Sequence, residues 1–329
     1  MNILVVGAGV MGYNHIRTYS HLPQVTKVIV IEPFEQNAKR VKDANFEKVE
    51  IYSDLKEVNL KDVNAASITV PTHLHYEVAM QLIQAKIPLL IEKPIAPSVK
   101  EGQELVLKAK ENKVLLTVGH IERFNPAVQA LKKNIGMLGD VFYASAHRFG
   151  VPTTRNLGKS FVDQAVHDID VISYLTGKAP TAISAVERKI LDGSSEDLCS
   201  AVVEYGEFCA TIEANRVTPI KNRDLTILGT KGMAKLDYIT QDLVIVTSDN
   251  TMNKYSTFDE VVMRVGKGAE FKPYFAKEEP LKLELVHFLD CVKNKKQPVV
   301  TGEDSIIAVA AVDAGVKSAK SGKKEKIKV

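Results

Sequence analysis

Ile3-Leu4-Val5-Val6-Gly7-Ala8-Gly9-Val10-Met11-Gly12 is the stretch on which the fold turns. Its apolar half reads as a short buried strand. The Gly-x-Gly-x-x-Gly that follows is weak evidence alone, but here it leaves a strand and opens a helix, the context a dinucleotide fingerprint requires. Gly7 permits the tight turn, Gly9 lets the backbone approach a pyrophosphate, and Gly12 allows close helix–strand packing. The first helical residues, Val10 and Met11, then offer free N–H groups and a partial positive charge to phosphates. Glu32 ends the second apolar run, twenty residues after Gly12. A carboxylate there accepts hydrogen bonds from adenosine ribose hydroxyls. It would repel a 2′-phosphate, which favours NAD over NADP. Lys39 and Arg40, further along the next helix, are the cations that argue the other way.

Outward from this motif, apolar runs at 2–6, 26–31, 65–70, 87–91 and 114–118 alternate with amphipathic stretches at 12–22, 34–44, 74–86 and 98–112. That rhythm predicts a parallel sheet with right-handed crossovers. Ser98 with Glu101 reads as a capping box. After residue 120 the rhythm changes. A helix is expected at 125–134, a strand over Asp140–Phe149, a polar loop over 150–160, and a helix at 161–176 stopped by Gly177. Strand patterns at 181–190, 198–205, 208–217, 224–229, 233–238 and 242–247 predict a large, mainly antiparallel sheet. Helices at 279–294 and 303–319 close the chain. The fold class is therefore α/β, with a Rossmann domain over 1–120 and an α/β domain over 121–329.

The composition is that of a globular protein, with 45% hydrophobic and 25% charged residues. The formal charge of +3 sits at the end of the chain: the last ten residues hold five lysines and one glutamate, leaving −1 for the rest. With no helix-turn-helix, finger pattern or aromatic–basic platform, nucleic acid is not an expected partner. Three scattered cysteines, with no CxxC pair, fit reduced thiols in a cytoplasmic protein rather than disulfides or zinc. No secretory leader or spanning stretch is read, so no membrane partner is expected.

Three further segments bear on chemistry. Lys93, in Ile91-Glu92-Lys93-Pro94, lies at the end of a parallel strand, where ligands of such sheets bind. A lysine there can hydrogen-bond a substrate hydroxyl and favour its alkoxide character, although a lone strand-end lysine is usually a solvated one. Asp163 and His167 are four apart, which in an α-helix puts them on one face. His167 can accept a proton near neutrality, with Asp163 holding its ring. Asp170 shares that face and competes as its partner. Ser160-Phe161-Val162-Asp163 is itself a capping-box pattern that would explain Asp163 without chemistry. Thr69-Val70-Pro71-Thr72-His73-Leu74-His75 follows the strand at 65–70. Its histidines lack a third ligand at suitable spacing, so no metal is expected, and His75 is read as supporting the loop and its helix.

Together and in this order, Gly7–Gly12, Thr69–His75, Glu92-Lys93-Pro94, Arg123-Phe124-Asn125-Pro126 and Asp163-x-x-x-His167 resemble the Gfo/Idh/MocA oxidoreductase family. The resemblance covers nearly the whole chain. It implies a Rossmann domain and a C-terminal domain with a broad open sheet that assembles a homo-oligomer, dimer or tetramer. It also implies a cis peptide before Pro94, and a catalytic set of Lys93, Asp163 and His167. The cofactor contacts it implies are Gly7, Gly9, Val10, Met11, Gly12, Glu32, Thr69, Val70, Pro71, Thr72, His75, Glu92, Lys93 and Arg123. Within the family, Val118–Val128 is most like the UDP-N-acetylglucosamine 3-dehydrogenases. That implies oxidation of the C3 hydroxyl of a UDP-N-acetylhexosamine by NAD. Arg148, Arg155 and Asn156 would then hold the diphosphate, beside Lys93, Asp163, His167 and Asp170 around the sugar. The alternatives are a dehydrogenase of a free polyol or monosaccharide, which needs no diphosphate-binding arginines, and a non-catalytic NAD-binding regulator.

Overall fold

The computed structural model describes residues 1–152, 160–191, 196–247 and 268–329, so Arg155 and Asn156 lie outside the described residues. The chain forms two compact units. The first comprises Met1–Phe124, Glu278–Val309 and Val329, and the second Asn125–Lys277 and Ala310–Lys328. This division differs from the single cut expected near residue 120. The segment from Glu278 belongs to the first unit because Leu281, Leu285, Phe288 and Leu289 bury themselves against Ile3, Val5, Ile16 and Val28.

The first unit is a six-stranded parallel sheet in the order β3-β2-β1-β4-β5-β6. Its strands are β1 (Asn2–Val6), β2 (Lys27–Ile31), β3 (Val49–Tyr52), β4 (Ala65–Ile68), β5 (Leu89–Glu92) and β6 (Leu116–Gly119). The strand order reverses between β1 and β4, and in such folds that switch point is where dinucleotides lie. The crossover helices are α1 (Val10–His21), α2 (Glu35–Asp43), α3 (His75–Gln84) and α4 (Val99–Glu111), with α5 (Pro126–Asn134) opening the second unit. Strand β4 and the apolar start of β5 are buried on both faces, which is why they read as unbroken apolar runs. Strand β3 escapes that signature. It is an edge strand of only four residues, none fully buried, with Glu50 exposed.

The second unit is a nine-stranded open sheet in the order β14-β13-β12-β11-β7-β10-β9-β8-β15. Its strands are β7 (Val141–Phe149), β8 (Ala182–Arg188), β9 (Leu198–Glu204), β10 (Cys209–Asn215), β11 (Asn222–Gly229), β12 (Gly232–Asp237), β13 (Asp242–Thr247), β14 (Ala269–Phe271) and β15 (Glu325–Lys326). Every pairing is antiparallel except β7 with β10. Alternation along β9 and β10 buries Cys199, Ala201, Val203, Ala210, Ile212 and Ala214 on one face. Helix α6 (Val166–Thr176) ends at Gly177 in the left-handed conformation, φ 70°. Helices α7 (Pro280–Asn294) and α8 (Gly302–Ser321) complete the chain. Gly315 of α8 has functional weight, because a Cβ there would lie 2.3 Å from the Phe161 ring. Only glycine lets α8 press against the turn that carries Asp163.

All three cysteines are free thiols. Burial pushes the Cys199 thiol up to about 12, which fits an inert, structural role. No described helix is long and apolar enough to cross a membrane.

Candidate active site

In the first unit the glycine motif forms a cradle. Gly7 has φ +95°, a conformation glycine reaches without strain. A Cβ on Gly12 would lie 2.1 Å from the Gly7 carbonyl oxygen, so loop and helix can meet only there. A Cβ on Gly9 would meet nothing within 4 Å, so that side of the loop is open. Helix α1 has no side-chain cap at its N-terminus and no acid in its first turn. Its first N–H groups are thus available to an anion. These features fit the pyrophosphate of a dinucleotide.

Glu32 is buried, and its carboxylate accepts the N–H of Ala8 at 2.7 Å, that of Phe34 at 2.9 Å and the Asn37 amide at 3.2 Å. It therefore braces the glycine loop as well as facing the expected ribose position. Thr69 also works on the loop. Its hydroxyl donates to the carbonyls of Gly7 at 2.8 Å and Val6 at 3.0 Å. His75 Nε2 lies 2.9 Å from the Val70 carbonyl oxygen and Nδ1 2.8 Å from that of Pro94, and the neutral ring donates to one of them from whichever nitrogen carries the proton. It ties the loop after β4, which holds Val70, Pro71 and Thr72, to the turn after β5, as its loop-supporting reading required. Burial lowers its pKa, while the two carbonyls pull the other way.

The Lys93–Pro94 peptide is cis, as the resemblance implied. Beneath Lys93, Glu92 is buried and accepts from the Lys93 N–H at 3.2 Å and pairs with His15 Nε2 at 3.0 Å. Burial pushes the Glu92 carboxyl up, but His15, followed by Lys93 and His75, outweighs that and holds it below its ordinary value. A Cβ on Gly119 would sit 3.1 Å from this carboxylate, so that glycine makes room for it. Glu284 joins His15 and Glu92, with one ligand atom from each within 4.8 Å of the others. Sequence reasoning missed this buried cluster, because His15, Glu92 and Glu284 share no spacing. Glu92 serves inside the protein rather than at an open surface, and the same holds for Arg123. That arginine is 4% exposed and bonds Val299 O at 3.2 Å and Asp304 at 3.1 Å.

In the second unit, Asp163 lies in a π-helical turn, Phe161–Ala165, that runs into α6. The capping-box reading of Ser160 fails. Its backbone is already helical, and its hydroxyl donates to Asp197 O at 2.8 Å. The π turn runs directly into the first turn of α6, which carries His167 four residues on. Asp163 accepts from Arg216 Nη2 at 2.6 Å, from the segment after β10. Arg216 was invisible in the sequence, since it is 53 residues from Asp163 and no local motif marks it. His167 is half-buried in the first turn of α6. Asp170 is 3% exposed and close enough to the Tyr205 phenol to help raise its pKa, after burial as the main cause.

Arg148 overturns its expected role. It is 1% exposed, and its guanidinium forks onto Asp168, Nε to Oδ2 and Nη2 to Oδ1, both at 3.0 Å. It also lies over the Tyr238 ring at 5.0 Å. The reason is register. Arg148 shares its face of β7 with buried Ala144 and Ala146, so it points into the core rather than toward solvent.

Comparison with known proteins fits this architecture. Residues 1–120 match a family model described as the NAD-binding Rossmann fold of an oxidoreductase family, and residues 132–329 match that family's C-terminal alpha/beta domain. A scyllo-inositol 2-dehydrogenase (NAD(+)) of Bacillus subtilis is 28% identical, over 97% of this chain and 94% of its own length. A UDP-N-acetylglucosamine 3-dehydrogenase of Acidithiobacillus ferrooxidans is 27% identical, over 88% of this chain and 87% of its own. A solved structure of that organism's UDP-N-acetylglucosamine 3-dehydrogenase superposes with a TM-score of 0.84 at 25% identity, covering 98% of both chains.

Proposed function

Since this chain belongs to the Gfo/Idh/MocA oxidoreductase family, we propose that it oxidises a free cyclic polyol or monosaccharide. The coarser statement stands by itself: it is an NAD-dependent dehydrogenase acting on a CH–OH group of a sugar or polyol. The observation that carries the finer reading is the Arg148–Asp168 pair. At 1% exposed and forked onto Asp168 through Nε and Nη2, the Arg148 guanidinium is held in the core, out of reach of a diphosphate at the surface. The similarity to an inositol dehydrogenase over nearly the whole chain supports the same reading.

NAD supplies the hydride acceptor when bound. Gly7, Gly9 and Gly12, with the first N–H groups of α1 at Val10 and Met11, would hold its pyrophosphate. Glu32 would accept a hydrogen bond from a ribose hydroxyl, and the loop from Thr69 to Thr72 is braced by His75. His167 takes the proton from the substrate hydroxyl at an imidazole nitrogen. Asp163 stabilises the imidazolium that results and is itself kept in place by Arg216. Lys93 donates a hydrogen bond to the oxygen as negative charge grows on it. With the hydroxyl proton on His167 and the hydride taken up by bound NAD, the substrate CH–OH would become a carbonyl.

The second reading, oxidation of UDP-N-acetylglucosamine at C3, is favoured by the TM-score of 0.84 to an enzyme of that name. The two separate on one panel of free inositols, free sugars and UDP-sugars, scored by NADH formation. Turnover confined to the UDP-sugars would reject the first. A homo-oligomer assembled through the nine-stranded sheet belongs to the same proposal. Val186 and Val202 are exposed there on the face opposite their strands' buried residues. Light scattering that gives a monomer mass at working concentration would reject it.

A further inference from the structure

We propose that Arg40 is a cofactor-specificity residue, placed to take the 2′-phosphate of NADP, so that this protein binds NADP as well as NAD. The inference rests on the placement of the dinucleotide at the Gly7–Gly12 loop, and the test below separates its failure from that of the placement.

Glu32 and Arg40 grip the same residue from its two ends. The Ala8 N–H donates to Glu32 at 2.7 Å, while Arg40 Nη2 donates to the carbonyls of Ala8 at 2.6 Å and Gly9 at 2.7 Å. An anion and a cation thus hold consecutive peptides of the glycine loop, at the expected ribose end of the cofactor site. They do not pair with each other, and among the described residues no carboxylate pairs with Arg40. The guanidinium lies on neutral carbonyls and over the Tyr13 ring, 4.7 Å from its centroid. Its charge therefore has no counter-ion, in a cradle built for phosphates.

The donor and acceptor inventory points the same way. An ionised carboxylate offers about four acceptor sites, and three N–H donors already occupy Glu32. Roughly one remains for a ribose hydroxyl, and the charge is softened by the donors around it. Glu32 alone is therefore a weaker barrier to a 2′-phosphate than the sequence suggested. Arg40 carries five N–H donors, of which its contacts use only those on Nη2. Its side chain is exposed. The Tyr13 ring beneath it and the two carbonyls help hold the guanidinium in place, and a planar fork suits a phosphate bidentately.

The bland alternative is that Arg40 merely tethers α2 to the glycine loop. That accounts for the carbonyl contacts but not for the charge, since a neutral amide could donate to them as well. Arg40→Gln keeps donors and removes the charge, so it separates the two. Binding of NADH and NADPH to the full-length protein is followed by nicotinamide fluorescence, with no substrate required. Wild type is expected to bind both. Arg40→Gln is expected to weaken NADPH at least ~10-fold and NADH less than ~3-fold, and Glu32→Gln to tighten NADPH. Retained NADH binding also reports that each variant is folded. Equal weakening of both cofactors would assign Arg40 to the pyrophosphate or to the fold and overturn the proposal. Wild type that binds NADH and not NADPH would overturn it too. Wild type that binds neither would remove the placement of the cofactor itself, and the proposal with it.

Discussion

Two single-methyl substitutions in the glycine loop should have opposite effects, and the reason lies in their surroundings. Gly9→Ala adds a Cβ that meets nothing within 4 Å. Gly12→Ala adds one 2.1 Å from Gly7 O, 2.7 Å from Thr69 Oγ1 and 2.8 Å from Gly7 C. The first methyl enters open space, so stability without cofactor should stay within about 1 kcal/mol of wild type. That space is where the pyrophosphate must come against the backbone. NADH affinity should therefore fall at least ~10-fold, about 1.4 kcal/mol. The second methyl collides with backbone that cannot rotate away. The loop must open, which costs about 1–3 kcal/mol as overpacking does. Urea unfolding without cofactor reads the stability, and fluorescence titration with NADH reads the affinity. Wild-type NADH affinity in Gly9→Ala would refute the placement of the pyrophosphate. Wild-type stability in Gly12→Ala would refute the packing argument.

Other perturbations test the remaining parts. Lys93→Ala and His167→Ala should bind NADH within ~3-fold of wild type yet turn over at least ~10²-fold more slowly, the lower end for loss of acid–base catalysis. Near-normal turnover in both would remove them from the chemistry. Arg148→Ala removes the guanidinium that forks onto buried Asp168, and should cost about 3–5 kcal/mol in urea unfolding. A loss below 1 kcal/mol would mean the pair is not the core contact described. Glu92 and His75 both titrate lower in the fold than when unfolded. For each, the unfolded chain binds the proton more readily, so stability is fully present above the unfolded pKa and lost as pH falls through the folded one. The unfolding midpoint should therefore decline first below about pH 6.5 and again below about 4.3, and His75→Gln should flatten the first decline. A midpoint unchanged between pH 7 and 5.5 would contradict the His75 assignment.

What was legible in the sequence follows from how local each signal is. The Rossmann half was readable because its strands are buried on both faces and its glycines, cap and acid lie at fixed offsets. Ser98 does accept the Glu101 N–H at 3.3 Å, and its hydroxyl donates to the Glu101 carboxylate at 2.7 Å. Strand β3 was not readable, since four half-exposed edge residues leave no periodic trace. Nor was the fate of the charged side chains. Arg148 with Asp168, Asp163 with Arg216 and His15 with Glu92 are each joined by folding across 20 or more residues. Composition showed arginines and acids, but only strand register decides which of them turn inward. The π turn at Phe161–Ala165 was hidden for a similar reason. Its sequence is compatible with an α-helix, and Gly315, which lets α8 pack against Phe161, lies 154 residues further on.

The most direct test of the account is a turnover panel for the purified protein with NAD, covering free inositols, free monosaccharides and UDP-N-acetylhexosamines, read as NADH formation. The account expects NADH from a free cyclic polyol or monosaccharide, and loss of that signal in His167→Ala. NADH from UDP-sugars alone, or from nothing on the panel, would contradict it.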